Sequence, residues 1–426
     1  VRLVYKFRYP KKNETTKQLD ILARISKNLY NEANYIIRQE FFNNGHWVRY
    51  YELNAQLKDS ENYKFLLAQT SQQTLRILDK NWASYYKVVK GWKKNPSEYH
   101  KKPGIPRYKP KDSRFLIILT NQNSEIKKGK IIFSMSKTFK KEHPDFKEPI
   151  EISIPLPPGK HFSKYQQVRI LPRKRYYEIE IVYEESIIRN PDLDKNLYLT
   201  MDLGVGNLVT GAENRNKRPI IVSGKPLKFI NQFFNKRSAR LLSIANKQGK
   251  KRTDKLEQIT DKRNRFVNDY LHKTARFYIK YCLDNKIGNI CIGKLKGIKD
   301  GVQLGRRNNQ TFVNIPLAKL KYMIKYKAKL VGIKLYEVNE EYTSKCSSLD
   351  LEPVEKHEKY IGRRIKRGLF RGSNYLLNAD VNGALNILRK VIGDDFIRNL
   401  LDRGCWFQPI RIRDMCQTSY EHFCLV

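Results

Sequence analysis

Two aspartates stand where a chain could gather ligands for divalent metal ions. Asp202 follows the apolar run LYLTM and precedes the glycine-rich turn GVG, and Asp380 lies at the start of the amphipathic pattern NADVNGALNILRKV. Metal-dependent hydrolysis of a phosphodiester needs two or three carboxylates at one end of a sheet, where they hold two ions about 4 Å apart. Mg²⁺ prefers such oxygen ligands, so neither Cys nor His is required. Taken singly, Asp202 fits a turn or capping role equally well, and Asp380 fits a helix N-cap.

The place of a third carboxylate is open. The buried strand pattern NICIG ends at Gly293 and runs into a basic turn, where nucleases often carry an acid. The next strand pattern, IKLYEVNEEY, contains Glu337, Glu340 and Glu341. Periodicity does not choose between these glutamates, because both faces of such a strand are covered. Ordinary loop acids are the alternative for Glu340 and Glu341.

The charge of the chain indicates a polyanionic partner. Its 426 residues include 84 Lys and Arg but only 42 Asp and Glu, a formal net charge of +42, and 12% of them are aromatic. Lys and Arg neutralise phosphates, while aromatic rings stack on unpaired bases. No apolar run approaches the roughly 20 residues of a membrane-spanning helix, and the start VRLVYKFRYPKK has no signal-peptide pattern. The six cysteines include no C-x-x-C pair, which favours a reducing cytoplasm over a disulfide framework.

The elements that must position these acids follow from changes of hydrophobic period along the chain. An alternating first strand precedes helical spacing from residue 14 to about 96, and a linker rich in Pro, Gly and basic residues follows. Four short runs from IIFSMS to YYEIEIVYEE predict a small antiparallel barrel or sandwich, which the first strand could rejoin. From residue 196 to 390, strands alternate with helices, which predicts a partly parallel sheet covered by helices. A very basic insert interrupts this region between about 345 and 376.

This order of motifs resembles the RuvC-like nuclease domain of the RNase H superfamily, and more closely the TnpB proteins, transposon-encoded RNA-guided nucleases related to type V CRISPR effectors. The matching motifs are MDLGVGNLVT, DYLHKTAR, EEYTSKCS, NADVNGALNI and the segment GIPRYK. The resemblance implies an α+β multidomain fold: an RNase H-like (RuvC) α/β nuclease domain, a β-barrel wedge domain and a helical recognition lobe. The expected division is a first wedge strand (1–13), helical recognition domain (14–100), wedge barrel (101–190), nuclease domain (191–344 and 376–395), target-nucleic-acid-binding insert (345–375) and C-terminal tail (396–426).

Two departures from the family pattern matter. The family usually has a Glu at the end of the strand NICI, where this chain has Gly293. In a sheet of this superfamily, the strand of Asp202 neighbours NICI, which neighbours IKLYEVNEEY, so a relocated Glu must cross one strand spacing of about 4.8 Å. A glycine at the intervening strand end leaves that gap open. We choose Glu340, because relatives that lack the usual Glu resemble this chain around EEYTSK and have an acid two residues before the Tyr.

The second departure concerns zinc. The family's insert usually carries two C-x-x-C pairs, but here CSSL keeps one thiol and FRGSNYLLNAD supplies none. Four-ligand zinc cannot be built from Cys346 and His357 alone. We therefore expect an insert without zinc, held by packing and by its own basic and aromatic residues.

The resemblance implies an RNA-guided DNA endonuclease with two Mg²⁺ ions held by Asp202, Glu340 and Asp380. Its expected partners are a guide RNA derived from the transposon end and target double-stranded DNA beside a short flanking motif; no membrane is expected, and the location is a prokaryotic cytoplasm, on the nucleoid. The expected nucleic-acid contacts, each also compatible with a solvated helix face or linker, are Arg107, Lys109, Arg263, Arg265, Lys273 and Arg276. A nuclease-inactive guided repressor and a transposase that joins DNA ends are the alternatives.

Overall fold

The computed structural model divides the chain into two compact units, Val1–Glu185 and Ser186–Val426, and each is described by itself. The residues that the structure describes are 1–11, 14–146, 148–159, 161–162, 164–188, 190–250, 253–294, 315–398 and 404–415. The basic turn after Lys294 and most of the C-terminal tail lie outside the described residues.

Four helices build much of the first unit: α1 (Glu14–Asn44), α2 (Tyr50–Leu57), α3 (Glu61–Phe65) and α4 (Ala68–Lys94). Leu19, Leu22 and Leu29 of α1 recur at helical spacing on the side of the helix that is buried. The same core contains Trp82 of α4, whose indole N–H donates to Asn34 at 3.0 Å. The apolar period of residues 14–96 therefore does form helices, as the sequence predicts.

The strands of the first unit form two open sheets. The strands are β1 (Arg2–Pro10), β2 (Ile117–Thr120), β3 (Glu125–Lys127), β4 (Lys130–Phe133), β5 (Ile150–Ser153), β6 (Tyr165–Pro172) and β7 (Tyr176–Glu184), with a short helix α5 (Lys137–Glu142) after β4. One sheet has the order β1-β7-β6-β2 and the other β3-β4-β5. The first strand rejoins the later ones by pairing antiparallel with β7. A closed wedge barrel stays a prediction.

The second unit is built around one mixed sheet. Its strands are β8 (Asp194–Leu203), β9 (Asn207–Glu213), β10 (Ile220–Ser223), β11 (Ile287–Gly293), β12 (Lys334–Val338) and β16 (Ile410–Ile412). Their order is β12-β11-β8-β9-β10-β16, and β11 runs parallel to both β8 and β12. The carboxyl ends of these three strands therefore meet at one edge, where ligands of α/β sheets bind.

Helices cover both faces of this sheet: α6 (Lys225–Lys247), α7 (Asp254–Asp284), α8 (Leu317–Leu330) and α9 (Ala379–Ile392), followed by a short α10 (Asp395–Arg398). Alternate residues of β11 face opposite sides. Ile290 and Ile292 pack in the cluster that includes α7 and α8, whereas Cys291 packs against Ile387 and Leu388 of α9. Burial on both faces explains why NICIG is a continuous apolar run rather than an alternating one.

The insert before α9 contains a small sheet of β13 (Arg363–Lys366), β14 (Leu369–Arg371) and β15 (Leu376–Asn378). Two acids hold its loops. Asp350 accepts hydrogen bonds from the Ser347 hydroxyl at 2.6 Å and from the backbone N–H of Ser373 at 3.0 Å. Glu352 accepts from the N–H of Ser347 at 2.6 Å and of Ile361 at 2.8 Å. The bonds of Asp350 join the CSSL loop to the FRGSNY loop, the two places where the family pattern would put cysteine pairs. The bonds of Glu352 join the CSSL loop to Ile361.

Candidate active site

Asp202 lies inside β8 rather than in the turn that follows. It pairs with Thr210 of β9 and is half-buried, so the turn or capping alternative is wrong for this residue. Its side chain lies on the α9 face of the sheet, where a Cβ at Gly383 would be 3.2 Å from the Asp202 carboxylate. The glycine in the first turns of α9 thus leaves room for the acid against the helix.

Asp380 lies in the first turn of α9, but it is not the N-cap. Asn378 caps the helix by accepting hydrogen bonds from the N–H groups of Asp380 and Val381, at 3.0 and 3.3 Å. The Asp380 carboxylate is therefore available for other contacts. Asn207, at the start of β9, donates to one of its oxygens at 2.6 Å, and Arg364 of β13 lies 3.5 Å from the other.

Glu340 occupies the space that Gly293 leaves. Ile292 pairs with Met201, so the next positions along these parallel strands are Gly293 and Asp202. Gly293 pairs with Val338, two residues before Glu340. A Cβ at position 293 would overlap Oε1, Cδ and Cγ of Glu340. The Glu340 side chain therefore lies over the bare strand end, toward the strand that carries Asp202, and any residue larger than glycine would displace it.

The backbone around Glu340 is held by the helix that carries Asp380. Lys390 of α9 donates to the carbonyls of Asn339 and Glu341, at 3.2 and 2.7 Å, so the residues on either side of Glu340 are fixed. The Glu340 carbonyl accepts from the Thr343 hydroxyl at 2.8 Å. Asn386, also on α9, is buried and donates to the carbonyl of Thr343 at 2.9 Å. One helix thus positions both Asp380 and the loop of Glu340.

The other two glutamate candidates are placed differently. Glu337 forms ion pairs with Lys321 and Lys325 of α8, both at 2.9 Å, and hydrogen bonds from these lysines lower the pKa of its carboxyl to about 2. Glu341 is exposed to solvent. Of the three glutamates, Glu340 is the one that the structure brings toward Asp202.

The electrostatic interactions of Asp202 indicate that Asp202, Glu340 and Asp380 lie near one another at the carboxyl ends of β8 and β11, a site called the corner from here on. Burial of the Asp202 carboxyl, followed by the negative charges of Asp380 and Glu340, raises the pKa of Asp202 well above its ordinary value, while Arg364 acts in the opposite direction. Burial also raises the pKa of Glu340, opposed by Lys321. Asp380 and Glu340 therefore lie close enough to Asp202 to repel its charged form, and binding a cation would relieve this repulsion.

The donors fit Mg²⁺ by their chemistry, although they form no closed ligand shell. All three are carboxylates, and the buried Oε1 of Glu340 has no hydrogen-bond partner among the described residues. A buried carboxylate oxygen without a partner is unfavourable unless another group satisfies it. In the part of the chain that the structure describes, however, no group of three or more His, Cys, Asp or Glu side chains is arranged to hold a metal ion.

The predicted nucleic-acid contacts of the first unit lie on a segment fixed to α1. Asn31 exchanges two hydrogen bonds with the backbone of Lys109, at 2.8 and 2.9 Å, and Asn34 donates to the Pro106 carbonyl at 3.2 Å. Lys109 is half-buried, with its ammonium over the rings of Tyr30 and Phe115. Arg107 is exposed. Lys109 thus has a packing role in the fold, and Arg107 stands in solvent.

The four predicted contacts on α7 also differ from one another. The guanidinium of Arg263 donates to Asn231 of α6 at 2.7 Å and so joins the two helices. Lys273 pairs with Asp269, one turn earlier, at 2.9 Å. Arg265 and Arg276 are exposed. Their contacts with nucleic acid stay predictions, and the exposed pair fits that role better.

Sequence reasoning missed the residues that orient the acids. Asn207, Asn386 and Lys390 act through hydrogen bonds to groups distant along the chain, whereas Asn378 caps α9 locally. Asn378 and Asn386 stand in the motif NADVNGALNI beside Asp380, and Asn207 ends the turn GVGN, so proximity to the candidate acids was the available signal. No helix of the described residues combines the length and the apolar character needed to cross a bilayer.

Family models and known proteins match several regions of the chain. The family model OrfB_IS605, described as a probable transposase, matches residues 178–299, and a model of the Cas12f1-like TNB domain matches residues 318–387. The chain is 25% identical over 414 residues to the TnpB-like protein ORF457 of Acidianus two-tailed virus, covering 88% of this chain and 84% of that protein.

Other relatives match a shorter part of the chain, including the CRISPR-associated endodeoxyribonuclease Cas12f2 of a Micrarchaeota archaeon, 29% identical over 52% of this chain and 41% of that protein. In fold, the chain resembles Cas12f1 solved by cryo-electron microscopy with sgRNA and target DNA. The TM-score is 0.59 at 18% identity, over 88% of this chain and 83% of that one. Together these matches support a TnpB-family protein related to the type V effectors.

Proposed function

We propose that this protein is an RNA-guided DNA endonuclease that cuts by metal-dependent phosphodiester hydrolysis, with Asp202, Glu340 and Asp380 as the ligands of two Mg²⁺ ions. The observation that carries the proposal is the position of Glu340. Its carboxylate fills the gap over Gly293 and leaves a buried oxygen beside the strand of Asp202, with no hydrogen-bond partner in the part of the chain that the structure describes. A loop acid with no function would stand in water, as Glu341 does.

The chain's own residues prepare the site in two ways. Asn207 and the Asn378 cap orient Asp380, while Lys390 and Asn386 fix the loop of Glu340. When bound, the ions would activate a water molecule and stabilise the leaving oxygen. Without metal ions, protonation is what relieves the repulsion among the acids in this half-buried corner. Bound ions would relieve the same repulsion while the carboxylates stay charged.

The proposed partners follow from charge and from the relatives. The net charge of +42 suits long nucleic acids, and the Cas12f1 that this fold resembles was solved with sgRNA and target DNA. In the proposal, a guide RNA from the transposon end pairs with target DNA, while residues 14–190 hold the heteroduplex through its backbone and read a short flanking motif. Arg107, Arg265 and Arg276 are the proposed exposed backbone contacts.

A guided DNA-binding protein without cleavage is the second candidate. Two observations favour it: the acids do not form a closed ligand group in the described chain, and Arg364 lies against Asp380 where a cation would bind. The two candidates differ in whether Asp202, Glu340 and Asp380 bind divalent ions at all.

The decisive experiment compares Glu340→Gln with Glu337→Gln, two isosteric changes three positions apart. Of these two residues, Glu340 lies at the corner, whereas Glu337 pairs with lysines of α8. Copurifying RNA is sequenced and used to program cleavage of matching DNA with Mg²⁺, and Mn²⁺ binding to the full chain is measured by electron paramagnetic resonance. We expect Glu340→Gln to lose cleavage and to weaken Mn²⁺ binding, with Glu337→Gln close to wild type. Equal behaviour of the two variants in both assays would remove Glu340 from the site.

A double variant that restores the family's usual arrangement makes this test more specific. The double variant Gly293→Glu with Glu340→Gly returns the acid to the strand end where the family usually has it. We expect it to cut better than Glu340→Gly alone, since the carboxylate again reaches the same corner. RNA of defined length bound to the purified protein would also argue against an unguided transposase.

A further inference from the structure

One lysine contacts both strands that border the gap over Gly293. The ammonium of Lys321, on α8, donates to the Gly293 carbonyl, the last of β11, at 2.9 Å. It also pairs with Glu337 of β12 at 2.9 Å. Glu340 follows two residues after β12 ends. Lys321 therefore ties together the two strand ends beside which the Glu340 side chain lies.

Lys321 is held largely out of water, unlike the lysine one turn later on the same helix. Its side chain is 13% exposed, against 58% for Lys325, although Lys325 also pairs with Glu337 at 2.9 Å. An ammonium group that leaves water needs polar partners, and Glu337 and the Gly293 carbonyl supply them. The contact with Gly293 thus distinguishes Lys321 from an exposed ion pair, which would contribute little to stability.

Gly293 opens the gap for Glu340 but leaves the strand end without a side chain to anchor it. Glycine has more backbone freedom than any other residue. Hydrogen bonds restrain this strand end instead: the N–H of Lys294 donates to the Val338 carbonyl at 2.7 Å, and the Gly293 carbonyl accepts from Lys321. A Cβ at position 293 would overlap Glu340, so a small shift of either strand end changes the space that Glu340 fills. Groups of a binding site must be held within about 0.5 Å of their working positions.

We propose that Lys321 is a positioning residue for Glu340, holding the ends of β11 and β12 at the spacing that lets the Glu340 carboxylate lie over Gly293. Burial raises the pKa of Glu340 and the charge of Lys321 opposes this, so the ammonium lies near the carboxylate that it would position. Lys321 acts through the strand ends and is not itself a metal ligand. The inference rests on the proposed function for the claim that Glu340 binds metal ions; the restraint on the loop of Glu340 does not depend on it.

The first test needs no metal. The matched pair is Lys321→Met and Lys325→Met: each removes one of the two lysines that pair with Glu337, whereas Lys321 is the one that also donates to the Gly293 carbonyl. Hydrogen exchange of the full chain is followed in EDTA by mass spectrometry. We expect Lys321→Met to speed exchange about tenfold in peptides covering residues 291–294 and 339–343, because these strand ends open more often, with Lys325→Met close to wild type. Equal exchange in the two variants would overturn the inference.

Metal affinity is the second readout, and it separates positioning of Glu340 from a general role in the fold. Mn²⁺ is titrated into the full chain, freed of nucleic acid, and followed by electron paramagnetic resonance. We expect Lys321→Met to weaken Mn²⁺ binding about tenfold, the lower end of the effect of residues that orient metal ligands. Lys325→Met should leave the affinity unchanged. Lys321→Gln is measured beside Lys321→Met, so that the result does not depend on the folding of one variant.

The double variant Gly293→Glu with Glu340→Gly supplies the background in which Lys321 should matter least. Its acid stands on β11 itself, so the spacing between β11 and β12 no longer decides where the carboxylate lies. We expect Lys321→Met to cost little Mn²⁺ affinity there. Coupled residues give such non-additive effects, whereas independent ones do not. Equal losses of affinity in both backgrounds would show that Lys321 does not act through Glu340.

The remaining outcomes separate this inference from the proposed function. If wild type binds Mn²⁺ and the Lys321 variants keep its affinity, the inference is wrong even where exchange rises. If wild type neither binds Mn²⁺ nor cuts programmed DNA, while exchange rises in the Lys321 variants and not in Lys325→Met, Lys321 still positions Glu340 and the endonuclease falls.

Discussion

The second unit contains two pairs of acids with opposite surroundings. Asp350 and Glu352 of the insert each accept two or more hydrogen bonds from the chain. Asp202 and Glu340 face other acids instead, and Oε1 of Glu340 is buried with no partner among the described residues. The difference separates acids that hold the fold together from acids that the fold leaves available to a cation.

The pKa directions follow the same division. Burial acts to raise the pKa of Asp350, but hydrogen bonds from Ser347, Ser373 and Tyr375 outweigh it and lower the pKa. Burial also raises the pKa of Asp202, and the nearby Asp380 and Glu340 raise it further. Donors supplied by the chain stabilise the charged form, whereas neighbouring acids destabilise it. Hydrogen bonds from the chain thus stabilise the charged form of Asp350 in the insert, while burial and neighbouring acids disfavour the charged form of Asp202.

Removing an acid from the corner should give the largest change. We expect Asp202→Asn to lower the rate of guided DNA cleavage about 1,000-fold, because the loss of several kcal/mol of metal-ion stabilisation corresponds to that factor. In EDTA its unfolding midpoint should not fall, since a buried charge and its repulsions are removed. Single-turnover cleavage and thermal unfolding check the two parts. A lower midpoint together with intact cleavage would place Asp202 among the structural acids.

Blocking the gap over Gly293 tests the corner without removing any carboxylate. We expect Gly293→Ala to lower cleavage about 100-fold, or about 2.7 kcal/mol in activation free energy, because its Cβ would overlap the Glu340 side chain. The matched control is Gly129→Ala, at a turn where a Cβ meets nothing within 4 Å, although its φ of +71° makes alanine mildly unfavourable. Cleavage of Gly293→Ala at the wild-type rate would contradict the position of Glu340.

Substitution of an acid in the insert should lower the free energy of unfolding, and that free energy should not depend on bound metal. We expect Asp350→Ala to lower the free energy of unfolding by about 2 kcal/mol, since it leaves donors of Ser347 and Ser373 without their acceptor. Urea unfolding in the presence and absence of a zinc chelator measures this. The chelator should not change the wild-type midpoint, and a drop on chelation would show that metal, not Asp350, joins the two loops.

Removing the side chain that orients Asp380 should give the smallest of these effects. We expect Asn207→Ala to lower cleavage about tenfold, because the carboxylate loses the donor that orients one of its oxygens at 2.6 Å. Raising the Mg²⁺ concentration should recover part of the rate if the loss lies in metal affinity. Asn214→Ala serves as a comparison, since this asparagine bonds backbone groups at the opposite end of β8. Equal losses in both variants would argue for a general effect on the sheet.

The sequence by itself predicted the order of strands and helices, allowed for the first strand to rejoin later ones, and singled out Asp202 and Asp380 as candidate acids. These depend on hydrophobic period and on local breaks, which short stretches of sequence carry. It also singled out Gly293 and, through family resemblance, Glu340. The partners of the acids were beyond its reach, because a hydrogen bond between Asn207 and Asp380 joins residues that only the folded sheet brings together.

Only the tertiary structure decided which role each of several similar residues has. Three glutamates lie within five positions, yet Glu337 pairs with lysines of α8, Glu341 stands in solvent and Glu340 turns over Gly293. Asn378, rather than Asp380, caps α9. Residues of the same type and spacing can have many roles. Strand register and the space beside a glycine depend instead on strands that are far apart in the sequence and meet only in the folded sheet.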